Sequence, residues 1–388
     1  MQTKFPWKVL FISEHVIKHS HADHLAKGVA SCVEALFFLD YTDEFEKAGR
    51  IGLKKSLSSI IEKQQIDLVF VNLGSVGIFT PDISLWLRKE YKVKLVYIFP
   101  DSEHNFEEQD RYYAQTADLN WVMNPSLEDL FKLYNLPVFQ GFGLHLPIIL
   151  RNQTVMEKSI NVSFVGGVYR ADRLTLLQQL ENDGVKVSAF GIGTKSGRIT
   201  DELRDEVIRK SKIHLNFTGV ENNRLNIFNR IKQNKARNIE VAIHGTFLLT
   251  EYAAGIEKIL DIEEGAEIFR SYEELLYKIK FYLINDDIRE QRARHQQKHS
   301  LENNNSKHVA YKLLTELSHL PRHKETFFVD SIFISWLAGE LSRHIGFFIG
   351  SLNVRAALSE LVYLKRIKGI SKFKFNNFLR GIIHGFRY

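Results

Sequence analysis

Near-continuous apolar runs, each followed by an amphipathic stretch, recur along this chain and restart halfway. KVLFIS (8–13), ALFFLDY, IDLVFVNLG (66–74) and VKLVYIFPD (93–101) are rich in β-branched and aromatic residues. Strands apolar on both faces need cover on both sides, which parallel βαβ units supply. Intervening segments such as 52–65 carry helical periodicity. NLPVFQGFGLHLPII (135–149) reads as a last strand running into a linker, where Pro137 and Pro147 discourage a helix. The pattern then begins again with NVSFVGG, KVSAFGIG (186–193), KIHLNFTG (212–219), TFLLTEY (246–252) and AEIFRS (266–271). The expected class is α/β, with two Rossmann-like doubly wound domains. Their expected limits are 1–150 and 156–318, with a helical basic extension over 319–388.

A length of 388 residues exceeds what one core organises and agrees with this division. The single cysteine, Cys32, excludes a disulfide framework and fits a reducing compartment. The start, MQTKFPWKVLFIS, runs straight into a strand without a signal pattern. No charge-free apolar run reaches spanning length. The expected localisation is cytoplasmic.

The chemistry concentrates in KARNIEVAIHGTFLLTEYAAGIEKIL (235–260). It reads as a helix carrying Glu240, a glycine stop, a buried strand, and an Ala-Ala-Gly turn opening a second helix. Ligands of open α/β sheets bind outside the carboxyl ends of the strands. A helix N-terminus offers free N–H groups to a diphosphate. An acid nearby suits the hydroxyls of a ribose. The combination fits a nucleoside diphosphate better than a free sugar or a metal.

The same block resembles the donor-domain pattern of two-Rossmann (GT-B) glycosyltransferases, E-A-x-x-x-G-x-x-(V/L)-(V/L)-x-(S/T)-(D/E)-x-x-G-x-x-E. The matching residues are Glu240, Ala242, Gly245, Leu248, Leu249, Thr250, Glu251, Gly255 and Glu257. The lead-in of Lys235 and Arg237 is similar to the spore-maturation-protein group of "glycosyl transferases group 1". The resemblance covers roughly residues 160 to 318 and implies a GT-B fold with its active site in a cleft. It also implies a nucleotide-sugar donor bound by the second half. One departure stands out: many retaining members carry a second acid where this chain has Lys232.

Individual residues take roles within that frame. Gly166 and Gly167 follow a strand, so they are either a tight turn or a loop that lets a phosphate approach, with Arg170 facing the diphosphate. Lys235 and Arg237 are placed to neutralise charge on the leaving nucleotide without a metal, or form a basic helix entrance facing water. Asn216 sits where a base or sugar would lie, or caps the next element. Glu240 is expected at the ribose, Ala254 and Gly255 at the diphosphate, and Thr250 and Glu257 beside them.

In the first half, HVIKHSHADH holds His15, His19, His21 and His24. The spacing lacks a zinc-helix ligand set. His21 is instead an acceptor-side candidate, while Ser20 to Asp23 alternatively cap the following helix. After the VKLVYIFP strand, Asp101 and His104 are candidates for the base that takes the acceptor proton; capping by Asp101 and Ser102 is the alternative. No metal or other cofactor is expected.

From Leu361 onward there are seven Lys or Arg and no Asp or Glu, against a formal net charge of +6 for the whole chain. These cations interleave with Phe, Tyr, Leu and Ile. The segment suits an anionic membrane surface, or a helix folded back onto the first domain. No nucleic-acid module is recognised. The expected activity is sugar transfer from a nucleotide donor to a glycan or lipid-linked hydroxyl. An epimerase or hydrolase on this scaffold and a non-catalytic nucleotide-sugar module are the alternatives.

Overall fold

Side chains apolar on both faces make the strands of this chain pair in parallel, buried by the helices that connect them. The computed structural model describes residues 4–14, 20–74, 77–103, 105–150, 156–168, 171–219, 232–321, 328–366 and 373–386. Packing divides the chain into two units: Met1–Met123, Leu127–Gln140 and Ala310–Tyr388 form one, Asn124–Ser126 and Gly141–Val309 the other.

The first unit alternates β1 (Phe5–Ser13), α1 (His21–Ala30), β2 (Val33–Asp40), α2 (Tyr41–Gln64), β3 (Leu68–Asn72), α3 (Pro81–Tyr91) and β4 (Lys94–Phe99). A π-helical turn (Phe106–Asp110), α4 (Arg111–Ala114), β5 (Leu119–Val122), α5 (Pro125–Leu133) and β6 (Val138–Gln140) follow. The strand order is β2-β1-β3-β4-β5-β6, with every pairing parallel. Sequence periodicity passes over β5, LNWV, a short strand with Asn120 in its middle. The Asn120 amide nitrogen donates to the carbonyls of Ala114 and Pro137, which satisfies that donor inside the sheet.

The second unit runs α6 (Leu146–Ile149), β7 (Ile160–Val165), α7 (Ala171–Asn182), β8 (Val187–Phe190), α8 (Asp201–Lys210) and β9 (Ser211–Asn216). It continues through α9 (Ala236–Ile243), β10 (Phe247–Glu251), a 3₁₀ turn (Ile256–Lys258), β11 (Glu267–Phe269), α10 (Tyr272–Ile284) and α11 (Asp286–Asn303). Its strand order is β11-β10-β9-β7-β8, again parallel. The order reverses between β7 and β9, and the carboxyl ends of strands at such a switch are where open α/β sheets bind ligands.

The remaining helices are α12 (Ser306–His319), α13 (Ser331–Gly350), α14 (Val354–Arg366) and α15 (Phe375–Gly385). The segment expected as an appended extension packs with the first unit: Phe333, Leu337, Leu341, Phe348 and Leu364 share a core with Leu10, Val69 and Tyr97. Among the described residues, no helix is long and apolar enough to cross a membrane.

Candidate active site

The crevice of the second unit is built from three strand ends. Gly166 and Gly167 follow β7, Phe217 to Gly219 follow β9, and Glu251 ends β10. Arg173, on α7, ties the first two loops together. Its guanidinium donates to the carbonyls of Gly167 (3.0 Å), Phe217 (3.3 Å) and Gly219 (2.9 Å). Glu251 is buried and holds the same loop from the other side. Its Oε2 accepts from the N–H of Thr218 (2.9 Å), the Thr218 hydroxyl (3.1 Å) and the N–H of Gly219 (3.3 Å). Lys232 Nζ stands 3.4 Å from Glu251 Oε1, so the cation at the departure from the family pattern pairs with the acid of β10.

Residues singled out from the sequence take varied places here. Asn216 and Thr250 are buried and bonded: the Asn216 amide donates to Asn238 Oδ1 (2.7 Å) and to Thr250 Oγ1 (3.2 Å), joining β9, β10 and α9. Lys235 precedes α9 and donates to the Gln233 side chain. Arg237 pairs with Glu240 one turn along α9, and Arg204 of α8 lies 3.9 Å from the same carboxylate oxygen. Glu240 thus stands between two guanidinium groups. Burial lowers the Arg237 pKa, opposed by Glu240. Gly166 donates its N–H to the Phe190 carbonyl (2.8 Å).

The Ala-Ala-Gly segment departs from expectation. The helix expected after it is a single 3₁₀ turn, Ile256–Lys258, too short to build up a macrodipole. Gly255 has φ +78, and a Cβ there would stand 2.6 Å from Pro125 Cβ, so conformation and packing both require glycine. The Ala254 carbonyl accepts from Asn234 (3.1 Å), and Glu257 is exposed. Arg170 lies outside the described residues.

In the first unit the carboxyl end of β4 leads into Asp101, which is exposed. Behind it, Asp110 closes the π-helical turn at 5% exposure and accepts from the Ser102 hydroxyl (2.5 Å). Burial pushes its pKa up to about 7, with Glu103 and Asp101 adding repulsion and the Ser102 bond opposing. A carboxylate in that range is equipped for proton transfer near neutrality. His104, His15 and His19 lie outside the described residues. His21 begins α1, half-buried, and Ser20 caps that helix by accepting from the Asp23 N–H (3.3 Å). Among the described residues, no group of three or more His, Cys, Asp or Glu is arranged to hold a metal ion.

Sequence reasoning missed Arg173, the Lys232–Glu251 pair and Asp110 as organisers of these sites. Glu251 had a signal, an acid ending a buried strand within the 235–260 block. Asp110 had none, because a π-helical turn has no periodic signature.

Residues 173–315 match the family model described as glycosyl transferase-like. No curated protein matches the sequence. Among solved structures, the chain is similar to sucrose-phosphate synthase from Thermosynechococcus elongatus, with TM-score 0.55, 10% identity, and 81% of this chain and 99% of that one covered. It is also similar to HepE from Anabaena in complex with UDP, with TM-score 0.54, 11% identity, and coverage of 81% and 100%. A glycosyltransferase from Rickettsia africae gives TM-score 0.53, 12% identity, and coverage of 81% and 98%. The two parallel sheets and these likenesses define the GT-B fold. The second half of the chain, over residues 173–315, matches the glycosyl transferase-like model within that fold.

Proposed function

We propose that this protein transfers a sugar from a nucleoside-diphosphate donor, held by the second unit, to a hydroxyl acceptor on the first. The observation that carries this reading is the switch-point crevice of the second sheet. Its loops are fixed by Arg173 and Glu251, and Lys232, Lys235 and Arg237 bring cations to the same end of β9 and β10. Cations there stabilise the charge that develops on a departing diphosphate, so the reading is metal-independent. Glu240 and the turn at Ala254 and Gly255 are assigned to ribose and diphosphate. Asp101, backed by Asp110, is assigned to the acceptor proton, with His21 and His104 as further acceptor-side contacts. HepE has been solved with UDP and with UDP-glucose, which makes UDP the first nucleotide and UDP-glucose the first donor to test. The charge of the basic C-terminal segment supports an acceptor on a lipid carrier or growing surface glycan, with the enzyme peripheral on the inner face of the membrane.

A second reading, a non-catalytic nucleotide-sugar module, is favoured by Lys232, which pairs with Glu251 and stands where many retaining members of the resembled family have an acid. One set of measurements separates the two. UDP or UDP-glucose raises the melting temperature of the folded chain, because a ligand of the native state alone stabilises it. Glu240→Gln weakens that binding by about 1.5–3 kcal/mol through loss of a charge-assisted bond. Transfer to added acceptor survives EDTA. Failure of every nucleotide to shift the melting temperature would falsify both readings. Binding without transfer or hydrolysis favours the module.

A further inference from the structure

Helix α15 lies against α13 with backbones in contact. A Cβ at Gly346 would stand 2.0 Å from the Phe378 carbonyl oxygen, and one at Gly381 would stand 2.0 Å from that of Arg343. At the end of this pair, Gly385 abuts Gly350 and Ser351, one residue before Leu352. There α13 ends at Gly350, and α14 begins at Val354 after three intervening residues. The end of α15, with Ile383 and Phe386 close to Gly385 in sequence, thus meets the turn that leads into Leu352 and Val354. All are strongly exposed: Leu352 83%, Phe386 72%, Val354 62% and Ile383 59%.

Leu352 is the most telling. Its φ of +59 lies in the left-handed region, where glycine or asparagine costs least and a bulky leucine is strained. A position that disfavours leucine therefore presents one to solvent. Exposed Arg355 and Arg380 lie on the same helices, and Lys47, whose carbonyl accepts from Asn353, is exposed beside the turn. Beyond Glu360 the sequence has seven Lys or Arg and no acid. Exposed apolar side chains with cations on the same helices match the interface of an anionic bilayer, where hydrocarbon lies beneath a layer of phosphates.

We propose that the α13–α14 turn and the C-terminal end of α15 form an insertion tip that enters an anionic membrane surface. Leu352, Val354, Ile383 and Phe386 are the inserted residues, with Arg355 and Arg380 on the headgroups. This deepens the membrane part of the function proposed above and names the residues that make the contact. The tip belongs to the first unit alone, so donor binding does not depend on it.

The test is co-sedimentation of the full chain with phosphatidylglycerol-containing and with phosphatidylcholine vesicles, at low and high salt. Binding to the anionic vesicles that fades with salt is expected. Leu352→Asp with Phe386→Asp lowers it roughly a hundredfold, since each apolar side chain contributes about a factor of ten or more. Leu352→Gly is the control against a merely structural role: it relieves the backbone, raises the melting temperature, and still weakens vesicle binding. Vesicle binding untouched by these substitutions overturns the tip, even if the chain is membrane-bound by other residues. A protein that ignores anionic vesicles at low salt overturns the membrane reading as well. A dimer in light scattering that the same substitutions split, without vesicle binding, assigns the face to a second copy and overturns the proposal. The UDP-induced thermal shift is measured on every variant. Its absence from the wild type strikes the donor reading alone.

Discussion

Asp110 carries a proton into neutrality because its carboxylate has lost its water and has two acids as neighbours. Its folded pKa of about 7 lies above the value in the unfolded chain. The stability it contributes is therefore complete below the unfolded pKa and is lost as pH rises through the folded one. The expected outcome is that the protein becomes less stable between pH 5 and pH 8 by about 2–3 kcal/mol from this group. Asp110→Asn, which mimics the protonated acid, flattens that slope in urea titrations. If Asp110 backs the acceptor base, the same substitution also removes the rise of transfer rate near pH 7. A flattened stability slope with an unchanged rate profile leaves Asp110 as a core residue only. Glu360 works with the opposite sign. Although burial pushes its pKa up, Arg50 and His344 outweigh that and hold it below the usual range, so its stabilisation persists above that range and fails in acid.

At the scale of elements, the contact of α13 with α15 depends on having no side chain at all. Gly381→Ala places a methyl 2.0 Å from the Arg343 carbonyl oxygen, and α15 cannot yield without leaving its groove. Overpacking of this kind costs about 1–3 kcal/mol or more. Faster hydrogen exchange along α15, with little change in β7–β11, is the expected signature; equal protection throughout would show the helices can separate at no cost. The elements also explain what periodicity reads and what it misses. Long apolar runs such as KVLFIS and IDLVFVNLG appear as β1 and β3, because a doubly covered strand needs an unbroken run. LNWV does not announce itself, since its asparagine is tolerated only through carbonyls of Ala114 and Pro137. The helix expected after Gly255 shrinks to a 3₁₀ turn because the chain there is tied to Asn234 and pressed on Pro125.

Within the first unit, the chain returns to where it began. Arg50 of α2 donates to both carboxylate oxygens of Glu360 on α14 (3.2 and 3.0 Å) and to the carbonyls of Gly77 and Ile78. Tyr363 reaches Asp82 (2.6 Å), and Phe333 stacks on Tyr112. Helices α13 and α14 therefore close the core over the first sheet. Removing residues from Leu361 onward takes Leu364 and Tyr363 from that core. Such a truncation is expected to lower the stability of the first unit by several kcal/mol, with exchange protection lost in β1–β6 and retained in β7–β11. It is a poor probe of membrane binding for that reason, and unchanged protection in the first sheet would contradict this account.

Local pattern was enough to determine most of the strands, the parallel class, the restart into a second domain and, within the 235–260 block, α9 and β10. Each depends on which residues neighbour one another along the chain, and apolar runs and glycine stops are local facts. What Glu240 and Asn216 touch was not legible. Arg204 meets Glu240, and Asn216 meets Asn238 and Thr250, across elements whose separation in sequence carries no periodic trace. The same holds for Lys232 with Glu251 and for Arg50 with Glu360, more than three hundred residues apart in the second case. Charge and hydrophobicity can be counted in a sequence. Which charges cancel and which apolar faces remain exposed, as at Leu352 and Phe386, is decided only when the helices pack.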